Sequence, residues 1–395
     1  MRVDAHQQQN HRVKTIMLAS TDRILTSHVG ALPRPTSLPG RDAKDYAVAD
    51  TELAAAVRDI VKKQAEHGIT VLGDGEFGKS NFLYYVRHRF DGFDERPLNP
   101  GEAHPNDAGG ARDLEKFPAY FEARGGLYPL NNPVLYCAGK IHYRGQDSVA
   151  TDIRNLETAM QAAGAVASAA EGFLTSVSPC TVAITMPNGF YSSDDEYHVA
   201  LAEALHDEYR AVTDAGLVLQ IDEPGLPGLW QTNPGATISD YRRSFAKWVE
   251  LLNFALRDCP SSQVRLHCCW GSYKGPHMGD VGLEHFADLL FGINATCYSV
   301  EGGNPRHEHE WAVFENNRLP DGKMLMPGVV SHSSDTIEHP DLVAQRLMRY
   351  AGVVGRENVI AGTDCGLRRV HDEICWAKMT SLVAGAAIAS QRLWS

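Results

Sequence analysis

Three residues carry the most specific chemistry in this chain. His267 and Cys269 lie two apart in the run Val264–Cys269 (VRLHCC), and Cys365 sits in Asp364-Cys365-Gly366. If the run is a strand, residues two apart point to the same side. One imidazole and two thiolates form a soft donor set that favours zinc and leaves room for an exchangeable ligand. A free thiol, with a pKa of about 8.5, is mostly protonated at neutral pH, and coordination to zinc removes that proton. The expected chemistry is therefore S-alkylation of a small-molecule thiol by an alkyl donor. The competing reading makes cysteines small buried hydrophobes. Cys137, Cys180, Cys259, Cys297 and Cys375 are assigned that role, and Cys268 points the opposite way on the strand.

Other reactive groups fall at comparable places. His28, Glu76, Asp222, Glu223, Glu301, His332 and Asp364 each close or follow a short apolar run. Glu76 and Asp222 suit the binding of a substrate ammonium or acid–base work, and capping or pairing with Lys79 and Arg87 is the alternative. His332 is the candidate proton donor, and Glu301 can supply a further metal ligand. The stretch Asn304–Glu310 (NPRHEHE) reads as a solvated loop or helix start rather than a second metal site. Within it, Arg306 could pair with an anionic substrate group.

These groups meet only if the fold gathers them. Eight runs read as strands: Arg23–Ser27, Ile69–Gly73, Phe173–Ser178, Leu217–Asp222, Val264–Cys269, Ala295–Val300, Met324–Val330 and Asn358–Gly362. Helical periodicity marks Thr51–His67, Asp194–Ala215, Asp240–Arg257, Pro340–Val354 and His371–Arg392. Alternating strands and helices imply parallel pairing, and eight strands fit a closed (β/α)8 TIM barrel, with a doubly wound sheet as the alternative. All the reactive groups then lie at carboxyl ends of strands, where barrel enzymes place their chemistry. We expect a flexible tail over 1–20 and one barrel over 21–395. Residues 77–150 form an excursion after strand two near the active-site mouth, with a hairpin around Val134–Arg144.

The 395 residues carry a formal charge of −12, which argues against nucleic-acid or anionic-membrane partners. No apolar run approaches the roughly 20 residues needed to cross a bilayer. Eight cysteines with no export signal suggest thiols rather than disulfides and a cytoplasmic protein. The start could also dock on a partner subunit of a homo-oligomer.

Ser27-His28-Val29-Gly30, Gly73-Asp74-Gly75-Glu76, Ile221-Asp222-Glu223-Pro224, His267-x-Cys269 and Asp364-Cys365-Gly366-Leu367 occur in one order. That order resembles the catalytic barrel of cobalamin-independent methionine synthase, from about Arg23 to the C-terminus. The resemblance implies zinc held by His267, Cys269, Glu301 and Cys365, and an amino-acid thiol held by Ser27, Glu76 and Asp222, beside His28. Methyl transfer to homocysteine is then the first reading. The chain is also similar to epoxyalkane:coenzyme M transferase, which adds a thiol to an epoxide. Three departures stand out. There is no room for a second barrel, Cys180–Tyr191 lacks the family's folate-stacking Trp, and Ser331-His332 replaces the usual Asp-x-His. Two further classes are a metal-free decarboxylase-type barrel, which the His-x-Cys motif disfavours, and a non-catalytic barrel stabilised by zinc.

Overall fold

The computed structural model describes residues 16–39, 46–99, 102, 104–127, 133–164 and 170–395. Among these described residues ten strands follow one another: β1 (Leu25–Thr26), β2 (Val71–Gly73), β3 (Phe90–Arg96), β4 (Val134–Tyr143), β5 (Glu171–Val177), β6 (Val218–Asp222), β7 (Val264–Cys268), β8 (Cys297–Val300), β9 (Met324–Val330) and β10 (Ile360–Thr363). Eight of them form one parallel sheet in the order β1-β10-β9-β8-β7-β6-β5-β2. The Thr70 amide donates to the Thr26 carbonyl at 3.1 Å and closes the sheet between β1 and β2. This is a (β/α)8 barrel, and its strands are the eight runs expected from sequence.

Strand periodicity then decides what fills the lumen. Leu219 and Ile221 of β6 join the outer core against the helices, whereas Val218 belongs to a separate inner cluster with Phe173, Cys297 and Met326. Gln220 and Asp222 share the inward parity of Val218. The same alternation sends Arg265 and His267 of β7 inward. Polar groups thus stack above an apolar floor.

Met17 closes that floor. It is buried in the inner cluster, its amide donates to the Ser262 carbonyl at 3.0 Å, and the Leu18 amide donates to Glu171 Oε1 at 3.2 Å. The first fifteen residues of the expected tail lie outside the described residues.

Helices cover the outside where periodicity expects them. Asp50–Glu66 buries Leu53, Val57, Ile60, Val61 and Gln64 on one face. Pro340–Val354 has the bounds read from sequence. The helix expected from Asp240 starts at Ile238, because the Thr237 hydroxyl caps the Asp240 amide while the Asp240 carboxylate returns to the Thr237 amide.

The expected hairpin around Val134–Arg144 is instead one strand, β4, paired antiparallel with the remote β3. The β3 sequence, FDGFDER, is too charged to reveal a strand by apolar alternation. Gly92 (φ +93°) lies where the register jumps, and a Cβ there would meet the Gly139 and Lys140 carbonyls at 2.8 Å. Arg89, just before β3, is buried between Asp152 and Glu208, and Tyr85 donates to Glu208 at 2.6 Å. These contacts clamp the segment after β2 onto the barrel.

Glu171 gives a stability prediction. Burial pushes its carboxyl up to about 7, against the opposing influence of the Leu18 amide and Arg265. The folded state therefore binds this proton more tightly than the unfolded chain. Stability from this site is full below the ordinary pKa and is lost as pH rises through about 7. Urea titrations of Glu171→Gln against the parent should show the variant gaining about 3 kcal/mol relative to it between pH 4 and pH 8. A difference that stays flat with pH would overturn this.

Candidate active site

The carboxyl ends of the strands open into a cavity of about 510 Å³. Its wall includes Glu76, Asp222, His267, Cys269, His332 and Cys365, six of the sequence-predicted site residues brought to one place.

At its base, ligand atoms of His267, Cys269 and Cys365 all lie within 4.8 Å of one another. The His267 ring is aimed from below: Nδ1 shares a 3.1 Å hydrogen bond with Ser299 Oγ, and Nε2 is buried with no partner. A ring that donates from Nδ1 presents the Nε2 lone pair to a cation. A hydrogen bond from the Cys269 thiol holds Cys365 well below the usual thiol range, and the same contact pushes Cys269 up. An orphaned imidazole nitrogen facing two sulfurs, one already favouring thiolate, fits a zinc ion.

Glu301 sits beside that triad in a second group. Its carboxylate accepts the Trp270 amide at 2.9 Å and Asn304 Nδ2 at 2.7 Å, and its ligand atom lies within 4.8 Å of those of His332 and Asp364. Burial, then the charge of Asp364, holds Glu301 well above the usual carboxylate range. Asp364 is saturated by the Gly302 and Gly303 amides and Asn304 Nδ2. It braces the loop after β8. His332 Nδ1 is buried with no partner on the pocket wall.

The acids opposite form a pair. Asp222 accepts from Gln220 Nε2 at 2.7 Å and Glu76 from Thr175 Oγ1 at 3.3 Å, while Glu76 Oε2 is buried without a partner. Burial raises both, and the charge of Glu76 raises Asp222 further. Two desolvated carboxylates side by side resist joint ionisation unless a cation arrives. Glu76 reaches the pocket from a left-handed backbone (φ +62°), a conformation that costs energy for a residue with a side chain.

Four predicted residues are not on the pocket wall: Glu301, held behind it, and Ser27, His28 and Arg306. Ser27 Oγ accepts from Arg265 Nη1 at 2.9 Å inside the lumen. His28 lies between the Gly30 amide, which donates to Nδ1, and Gln64 Oε1 at 2.8 Å, and burial lowers it to about 4. Arg306 reaches the Met278 carbonyl at 3.4 Å. The solvated-loop reading of Asn304–Glu310 is corrected by burial of His307 and Glu310. His307 stacks on Trp270 at 3.9 Å between Asp280 and Glu310, and hydrogen bonds to both acids, working against burial, push it up to about 10.

Sequence reasoning passed over Trp270, Tyr273, Asp280, Arg368 and Arg369, which also line the pocket. Adjacency was the available signal: Trp270 follows Cys269, and the arginines follow Asp364-Cys365-Gly366-Leu367.

Two cysteine sulfurs and a buried imidazole converge at the mouth of a (β/α)8 barrel, and that combination points to a class. The model of the family "Cobalamin-independent synthase, Catalytic domain" matches residues 151–388, and the chain belongs to that family. It is 25% identical over 224 residues to a methionine synthase of Saccharolobus islandicus, covering 56% of this chain and 59% of that protein's length. It is 24% identical over 409 residues to the 2-hydroxypropyl-CoM lyase of Xanthobacter autotrophicus, covering 94% of this chain and 96% of that one. Among solved structures, a B12-independent methionine synthase from a Shewanella species, in complex with selenomethionine, superposes with a TM-score of 0.72 at 19% identity, over 94% of this chain and 99% of that one.

The Ser299 contact makes the cradle testable. Ser299→Ala should weaken zinc binding roughly 10- to 100-fold, because orienting partners of metal-binding histidines carry that much affinity. Chelator competition measures this, and an unchanged affinity would show that Ser299 does not orient the ring.

Proposed function

We propose that this protein is a zinc-dependent thiol S-alkyltransferase whose first-choice reaction is methyl transfer to homocysteine or a related thiol. The observation that carries the reading is the convergence of His267 Nε2, Cys269 Sγ and Cys365 Sγ within one pocket with Glu76, Asp222 and His332. His267, Cys269 and Cys365 hold the ion, with Glu301 as the fourth protein donor. Zinc bound there supplies the loss of a thiol proton at neutral pH.

The chain's own residues supply the rest. Glu76 and Asp222 hold the substrate ammonium, which relieves the repulsion between them. Thr175 and Gln220 fix the two carboxylates so that the thiol end points toward the cradle. His332, with its free ring nitrogen, gives a proton to the departing group. The apolar wall, including Val29, Ile184 and Trp270, limits water around the reacting carbon. A cytoplasmic setting completes the proposal: all eight cysteines are free, and no helix among the described residues is long and apolar enough to cross a membrane.

Addition of a thiol to an epoxide is the second reading. It is favoured by the near full-length similarity to 2-hydroxypropyl-CoM lyase, and by the absence of a Trp in the segment after β5, which folds as the helix Pro179–Thr185 and the following turns.

The deciding experiment combines zinc-loaded protein with several thiols against methyl donors and epoxides, with products identified by mass. His267→Ala, Cys269→Ser and Cys365→Ser should each lose metal and at least about 100-fold in rate, the scale of losing an activated nucleophile. Full activity in a metal-free variant would overturn the mechanism. Glu76→Gln should raise KM for an amino-acid thiol about tenfold or more while sparing a thiol without an amine. Equal effects on both thiols would remove Glu76 from ammonium binding.

A further inference from the structure

The pocket contains a charge arrangement that thiol chemistry alone does not require. Glu76 and Asp222 both line it, and so does a half-buried basic side chain whose charge reaches Glu76. That side chain is Arg368, three residues beyond Cys365. It is half-buried, lines the main cavity with Glu76, and packs its guanidinium 5.6 Å from the centroid of Phe82. It also shares with Glu76, Asn81 and Ala31 the wall of a smaller side chamber of about 230 Å³. Its charge acts directly on Glu76.

The other cations are placed differently: Arg34, on the wall of the side chamber, donates to the Glu76 carbonyl at 3.1 Å. Lys79 is buried but donates to Thr175, whose hydroxyl it meets at 3.0 Å, and it is not on the cavity wall. Arg265 lies below in the lumen on Gln220, Ser27 and the His28 carbonyl. Lys274 and Arg369 are exposed at the rim. Ser27, the residue offered by the family resemblance for holding an amino-acid thiol, is engaged by Arg265 and lies away from the cavity.

Resting on the thiol-alkyltransferase reading above, we propose that Arg368 is the specificity-determining residue that binds the carboxylate of an α-amino-acid thiol. In an α-amino acid the ammonium and carboxylate sit on the same carbon. A site that takes the ammonium on Glu76 and Asp222 needs a cation on the same wall, and the cavity offers Arg368 near Glu76. A guanidinium suits a carboxylate because its donors match both oxygens. The chemistry also explains how an arginine and two acids share one buried wall: each end of the zwitterion offsets the charge that faces it.

The test uses the zinc-loaded full chain and three probes: homocysteine, 3-aminopropane-1-thiol, which lacks the carboxylate, and 4-mercaptobutanoate, which lacks the amine. Calorimetric binding and kcat/KM are both read for the parent, Arg368→Leu and Arg368→Lys. The parent should prefer homocysteine over 3-aminopropane-1-thiol. Arg368→Leu should cut that preference roughly 10- to 100-fold, the scale of one lost charge-assisted pair. Arg368→Lys should recover part of it, and stands in if the leucine variant fails to fold. Equal losses for homocysteine and 3-aminopropane-1-thiol, or an unchanged preference, would overturn the assignment. So would a parent that binds 4-mercaptobutanoate better than homocysteine, because no amine would then be recognised. A parent that binds homocysteine with this Arg368 dependence yet alkylates no thiol would leave the assignment standing and overturn the proposed function instead.

Discussion

The site depends on a guanidinium locked inside the barrel. Arg265 is among the largest fully buried side chains, and a charge placed there must find partners in the lumen or be expelled. It finds them in three directions: Gln220 on β6 at 2.7 Å, Ser27 after β1 at 2.9 Å, and the His28 carbonyl at 3.3 Å. The face of Phe173 lies 4.1 Å from its central carbon. Gln220 passes the constraint upward, because the amide group that accepts from Arg265 also donates to Asp222. One buried cation thereby ties three strands together and fixes an acid of the pocket above. Met326 on β9 completes its surroundings at 3.4 Å.

The pocket above combines opposed electrostatic demands at short range. A nearby cation favours thiolate character at the two cysteines, while burial disfavours the charged forms of Glu76 and Asp222. Separating these demands takes geometry. Cys365 leaves β10 and Glu76 leaves β2, on either side of β1, so the acids flank the cradle without entering it. Trp270, carried between Cys269 and the buried His307, holds the far wall rigid, and its amide anchors Glu301.

Much of this was legible in the sequence because a barrel strand has only two sides. The eight runs were found from their apolar residues, and parity alone then brought His267 to the same face as Cys269. Asp222 is legible because it closes its apolar run. What escaped were features set by tertiary neighbours. Ser27 lies at a strand end like the others, yet Arg265, more than two hundred residues later, claims its hydroxyl. The NPRHEHE stretch reads as solvated because local charge density cannot reveal that Asp280 and Glu310 bury His307 between them. The strand Phe90–Arg96 is hidden for a related reason: its stability comes from β4 and the Arg89 clamp, and little of it from its own apolar content.

The Met17 stopper at the barrel floor also sets an order of events in time. Ser20 hydrogen-bonds the Val359 carbonyl at 2.6 Å across 339 positions of sequence, and Met17 joins Met324 and Ile360 in the inner cluster. During synthesis these residues emerge before the strands that seat them, which run from β2 and β5 through β10. Until β9 and β10 exist, the lumen has no closed floor and Met17 has only part of its seat. Contacts of such long sequence separation carry a loop-closure cost before they return any energy, and they form late. The final strand, which also delivers Cys365, is therefore the step that completes both ends of the barrel: it seals the floor and brings Cys365 to His267 and Cys269 at the mouth in one closure.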